Sequence, residues 1–178
     1  VDVLFFYDAA TLAANNGDAA TLANTIVARL AMANTALTNS GVTNLQWRYV
    51  AAYQVPDYTA TDKIEDDLDL ISYGYDQSNL DPNANPVRKF IYDKCVYHGA
   101  DQAVLYITGT RTADGNTVGL AWSSDRVSQV VSIGCARAVV MWKRTSDNLV
   151  MDYKIATHEM AHNFGCQHDR PNMSTSAD

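Results

Sequence analysis

Apolar positions along the chain follow two rhythms, and together they outline the elements. VDVLFFYD (1–8) is a continuous apolar run, the pattern of a strand covered on both faces. From Asp18 to Asn39, Leu22, Ile26, Leu30, Ala33 and Leu37 recur at helical spacing, with Gly17-Asp18 as breaker and cap and Gly41 as terminator. NLQWRYVAAY (44–53) alternates: Leu45, Trp47, Tyr49, Ala51 and Tyr53 fall on one face of a half-exposed strand, Gln46 and Arg48 on the other. Thr61 to Gly74 predicts a short helix with Ile64, Leu68 and Ile71 inward. Residues 75–86 are turn-rich, and Val87 to His98 predicts an amphipathic helix with Phe90, Ile91 and Cys95 inward, closed by Gly99. AVLYITG (103–109) reads as a buried strand, TVGLAW (117–122) as a short edge strand, and QVVSIGCARAVVMW (129–142) as a last strand with a bend at Gly134. A final helix runs from about Leu149 to Phe164. This order predicts an α/β sandwich with a mixed, mostly parallel twisted sheet and an antiparallel edge strand. Two main helices pack on it, besides the helix near the C-terminus.

Composition narrows the class. A chain of 178 residues, 47% hydrophobic, suits one domain with a core of its own, and no segment approaches a membrane span. A net charge of −7 argues against nucleic acid or an anionic membrane as partner. Only 19% of residues are charged, while Ala, Thr, Asn, Ser and Tyr are plentiful, a profile that fits a secreted protein. The chain opens at Val1 without a methionine or leader-like run, and so reads as a mature or excised domain. Oligomeric state leaves no mark in the sequence. On the helix at 61–74, Asp62, Glu65, Asp66 and Asp69 could attract calcium, but no glycine-turned ligand loop supports it, and a solvated acidic face accounts for the spacing.

The chemistry is concentrated in residues 158–169, which have the form HExxHxxGxxHD; of four histidines in the chain, three lie here. His158 and His162 are four apart, so on a helix they share a face and can meet one ion at about 2.0–2.1 Å. Glu159 follows the first histidine directly and is offset from the ring nitrogens, a position for a general base acting on water. Gly165 can take a left-handed conformation, end the helix and turn the chain so that His168 returns as third ligand. Three neutral imidazoles leave a fourth tetrahedral position open, the arrangement of a catalytic zinc. Cys95, Cys135 and Cys166 are too far apart in sequence for a cysteine zinc site. They allow one disulfide, for which Cys135–Cys166 is the favoured pair; unpaired thiols or a partner outside the chain are the alternatives.

This segment resembles the metzincin signature, and its HD ending resembles the adamalysin (reprolysin) branch, secreted bacterial members included. VDVLFFYD, TVGLAW and NLVMDYKIATHEMAHNFG resemble that family's first strand, its substrate-binding edge strand and its active-site helix. The resemblance implies a secreted zinc endopeptidase made as a zymogen, with His158, His162 and His168 as ligands, Glu159 as base and a protein or peptide as substrate. It implies that Asp169 ties the ligand loop to the domain and that Gly119, Leu120, Ala121 and Trp122 edge the cleft; Leu120 and Trp122 read equally well as core. It also implies a methionine turn and a small C-terminal subdomain. Met173, five residues past His168, is the candidate for that turn and reads as readily as a loop residue. Residues 1–178 are thus expected to form a catalytic domain lacking most of that subdomain. A metzincin-fold binding module with an incomplete cleft is the competing expectation.

Overall fold

A computed structural model describes residues 1–72, 83, 85–110, 117–122, 135–144, 149–150 and 153–168. Among the described residues the sheet has six strands: β1 (Asp2–Tyr7), β2 (Arg48–Gln54), β3 (Gln102–Gly109), β4 (Gly119–Ala121), β5 (Ala136–Arg144) and β6 (Leu149–Val150). The spatial order is β2-β1-β3-β5-β4, with β6 paired to the end of β5. β1, β2, β3 and β5 are parallel, while β4 and β6 run antiparallel to β5. The predicted mixed sheet with an antiparallel edge is therefore what forms.

Both faces are covered, which is why residues 3–7, 103–107 and 138–142 of β1, β3 and β5 read as unbroken apolar runs. Val3, Phe5 and Tyr7 project to one side with Val104, Tyr106, Ala138 and Val140. There they meet Leu22, Ile26, Leu30 and Ala33 of α2 (Ala19–Asn39) and Ala156 and Met160 of α5 (Tyr153–His162). Leu4 and Phe6 project to the other side with Ala103, Leu105, Ile107 and Val139. Their partners are Ile64, Leu68 and Ile71 of α3 (Ile64–Ile71) and Ile91 and Cys95 of α4 (Pro86–His98). A further short helix, α1 (Ala9–Ala14), follows β1 directly and is capped by Asp8. No described helix is long and apolar enough to cross a membrane.

Three readings of the sequence are corrected here. In β2 the pairing with β1 jumps from Val3↔Tyr49 to Leu4↔Ala51. The extra residue, Val50, flips the face of everything after it. Leu45, Trp47 and Tyr49 face the α2 side, as alternation predicted, but Ala51 and Tyr53 pack on the α3/α4 side. The C-terminal helix starts at Tyr153 and not at Leu149, because Leu149–Val150 pairs with Arg144–Lys143 as β6. The disulfide joins Cys95 of α4 to Cys135 just before β5, with Cα atoms 6.1 Å apart, and Cys166 is a free, exposed thiol. Cys135 lies in the α3/α4 core, on the face of the sheet opposite α5, and so faces Cys95. Gly134 and its predicted bend lie outside the described residues.

On α3, Glu65 and Asp66 are exposed as predicted and Asp69 is half-buried, while the exposed Asp62 lies just before the helix starts. Asp67 differs: it turns inward and accepts hydrogen bonds from Tyr58 Oη at 2.8 Å and Thr61 N at 2.9 Å.

Candidate metal centre

α5 brings the candidate residues to the edge of the sheet. Its apolar face, Ala156 and Met160, is pinned in the α2-side core, and Gln102 of β3 donates to the Met160 carbonyl at 3.0 Å. Asn163 Nδ2 lies 3.2 Å from the Trp122 carbonyl and 3.3 Å from the Arg137 carbonyl, tying the helix end to β4 and β5. The helix face bearing His158 and His162 is thereby fixed toward solvent.

The helix ends in a left-handed turn. Gly165 has φ 86°, the Gly165 N–H donates to the His162 carbonyl at 2.8 Å, and the Cys166 N–H donates to the Ala161 carbonyl at 3.2 Å. A side chain would strain that φ, so glycine is required by the backbone here. The turn carries His168 back over the helix. Its Nε2 lies 3.0 Å from His158 Nε2, which is in turn 2.9 Å from His162 Nε2.

These rings suit a metal by their own chemistry. His162 Nδ1 lies 2.6 Å from the Cys166 carbonyl, which can only accept, so Nδ1 carries the proton and Nε2 offers its lone pair to the cluster. Burial, and then the neighbouring His162 and His168, depress the His158 pKa and favour its neutral form. Three ring nitrogens aimed at one point repel unless a cation or shared protons lie among them. A tetrahedral ion with ligands at about 2.0–2.1 Å would hold them roughly 3.3 Å apart, only slightly wider than they stand. Among the described residues, these three form the cluster able to hold an ion.

Glu159 lies beside them, 6% exposed. Burial pushes its carboxyl up to about 7. A nearby cation would pull it back down. Glu159 and the three histidines share a cleft of about 620 Å³, walled by Thr117 to Ala121 on one side and by Lys154, Ile155 and Gln167 on the other. An open cleft with converging imidazoles and a buried carboxylate can hold a metal, admit an extended ligand and exchange protons at one spot.

The sequence profile of metallo-peptidase family M12, of the reprolysin type, matches residues 1–178. The chain belongs to this family. No curated protein matches it. Among solved structures it is similar to one titled "Structure of a chaperone-substrate complex", with a TM-score of 0.61 at 14% identity. That alignment covers 96% of this chain and 26% of the other, so the chain spans about a quarter of the length of the structure it matches, and the likeness concerns the fold alone.

In this M12 chain, the residues singled out from sequence divide three ways. His158, Glu159, His162, His168 and Gly165 come together. Gly119, Leu120 and Ala121 line the cleft, whereas Trp122 lies just past β4 and packs against the α3/α4 core without joining the described lining. Leu120 does both. Asp169 and Met173 lie outside the described residues. Sequence reasoning missed Asn163, Gln102 and the Cys166 carbonyl. Asn163 and Gln102 donate to backbone carbonyls, and Cys166 acts through its own carbonyl, so each contact involves main chain that leaves no mark in a sequence; only the glycine that forces the turn hinted that the Cys166 carbonyl would face His162.

Proposed function

We propose that this M12 metallopeptidase is a secreted, zinc-dependent endopeptidase in which His158, His162 and His168 hold the ion and Glu159 is the general base. The observation that carries the reading is the convergence of three imidazole nitrogens beside a buried carboxylate in an open cleft. Zinc, when bound, supplies Lewis acidity, acidifying water and polarising a carbonyl. Glu159 takes a proton from the attacking water and delivers it to the leaving amine. Its burial favours this, since a desolvated carboxylate is more basic than one in water. The Cys166 carbonyl holds His162 in the tautomer that presents Nε2.

The substrate is a protein or peptide bound extended along Gly119–Ala121. β4 ends the described strand order, and a peptide can add to such an edge through main-chain hydrogen bonds that read backbone more than side chain. Residues 1–178 act as the catalytic domain. Export to an oxidising compartment is supported by the Cys95–Cys135 disulfide.

The test is casein cleavage by the zinc-loaded chain. Chelation should abolish it and zinc should restore it. E159Q should keep one zinc per chain while turnover falls by about 10²–10⁴-fold, the usual contribution of a positioned base. Cleavage by E159Q near the wild-type rate would remove Glu159 from this role. A wild-type chain that binds zinc and cleaves nothing would leave a binding module.

A further inference from the structure

Gly119 lies against Glu159. A Cβ built on Gly119 would stand 2.5 Å from Glu159 Oε1, 2.7 Å from Cγ and 2.9 Å from Cδ. Because Cγ is as crowded as the carboxylate, turning the carboxylate alone does not clear a methyl; the whole side chain has to swing. Glu159 is 6% exposed, held between α5 and the sheet, and the open direction is into the cleft.

Backbone conformation does not explain this glycine. The described glycines with positive φ are Gly17, Gly41, Gly99 and Gly165, and Gly119 is not among them. It sits in a paired strand opposite Val140, where a glycine weakens the strand and commonly marks a close approach by another group. Here that group is the Glu159 side chain.

We infer that Gly119 is a positioning residue: the missing Cβ forms the seat of the Glu159 side chain and sets where its carboxylate stands relative to the three imidazoles. The inference rests on the peptidase reading for its catalytic consequence. Since Gly119 also belongs to the strand proposed to carry substrate, one contact fixes the spacing between base and bound peptide.

G119A in the full chain tests it. Zinc should still bind one per chain and KM should stay within about threefold, while kcat falls by about 10²-fold, the scale of a roughly 1 Å misplacement of a reacting group. A crystal structure of metal-free G119A should show the Glu159 carboxylate moved toward the cleft by about 1 Å or more. E159A removes every atom the methyl would meet, so adding G119A to it should cost the low residual kcat little more, a non-additive pair. If G119A fails to fold, G119A/E159A should fold, because the obstruction is gone.

Four results would overturn the inference. These are an unmoved carboxylate, an unchanged kcat or a loss confined to KM, the same fold-loss of kcat in the E159A background, and a G119A/E159A protein that stays unfolded. If the wild type itself cleaves nothing, the peptidase reading fails, and the carboxylate's position in the G119A crystal still decides the seat.

Discussion

Asp8 is 1% exposed and directly follows β1, yet it carries a carboxyl. Its Oδ1 accepts from the Thr11 N–H at 2.7 Å, capping α1, and its Oδ2 receives the longer Thr108 N–H contact at 3.4 Å. Burial raises its pKa, and the Asp67 charge adds to that, outweighing the hydrogen bonds that lower it. A folded-state pKa above the unfolded one means that the native state binds more protons in the interval between them. The stabilisation is therefore complete below the unfolded value, near about 3.9, and is lost as pH rises through the raised value. D8N cannot ionise. With chelator present throughout, so that metal release contributes nothing, the Tm of the wild type relative to D8N should fall as pH is raised from about 3 to 7. A flat or rising difference would mean that Asp8 is not held protonated by burial. At this scale, legibility depended on the partner. His158, His162 and Glu159 could be read because a helix fixes the offset of neighbouring side chains, and Gly165 because only glycine sits easily at that φ. Asn163 and Gln102 look like any other polar residues, because what they bind is main chain brought in from another element; Asp8 signals at most its local cap on Thr11 and not its contact with Thr108 of β3.

At the scale of elements, periodicity located α2, α3 and α4 because each has an apolar stripe. It could not locate α1, six residues dominated by alanine, whose only signal is the Asp8 cap before it. It placed β2 but misjudged half of one face, since a bulge at Val50 is a matter of pairing with β1 and not of composition. Cysteine pairing was illegible for the same reason: three thiols allow three pairs, and which two meet depends on the face of the sheet each occupies. The bond found ties α4 to the start of β5 across a sequence separation of 40. A loop of that size is worth about 4 kcal/mol by chain entropy. The C95S/C135S double variant should therefore unfold at markedly lower urea than the wild type, with the loss approaching that figure. C166S should shift stability by less than about 0.5 kcal/mol, as surface changes do. Had Cys135 paired with Cys166, C166S would carry a comparable loss as well, so urea unfolding of C166S separates the pairings.

For the molecule as a whole, the question is whether the metal builds the fold or occupies a site that the fold has already built. The two cores flanking the sheet contain none of the three histidines, and α5 is held by Ala156, Met160 and the Gln102 and Asn163 contacts on its other side. Small zinc modules fold only on binding metal because they have no other core. Here burial on both faces of a six-stranded sheet supplies one. The chelated protein should consequently keep its near-UV circular dichroism and unfold in one cooperative transition. Added zinc should then stabilise only by binding the native state: at a hundred times Kd it should add about 2.7 kcal/mol, a rise of roughly 5–10 °C in Tm for a chain of this length. The rise should depend on zinc concentration and vanish in H158A and H162A, whose Tm in chelator should lie close to that of the wild type because the lost rings face the cleft and not the cores. If chelation abolished the near-UV signal, the metal would be part of what holds α5 to the sheet, and the apolar face of that helix would be too weak an anchor on its own.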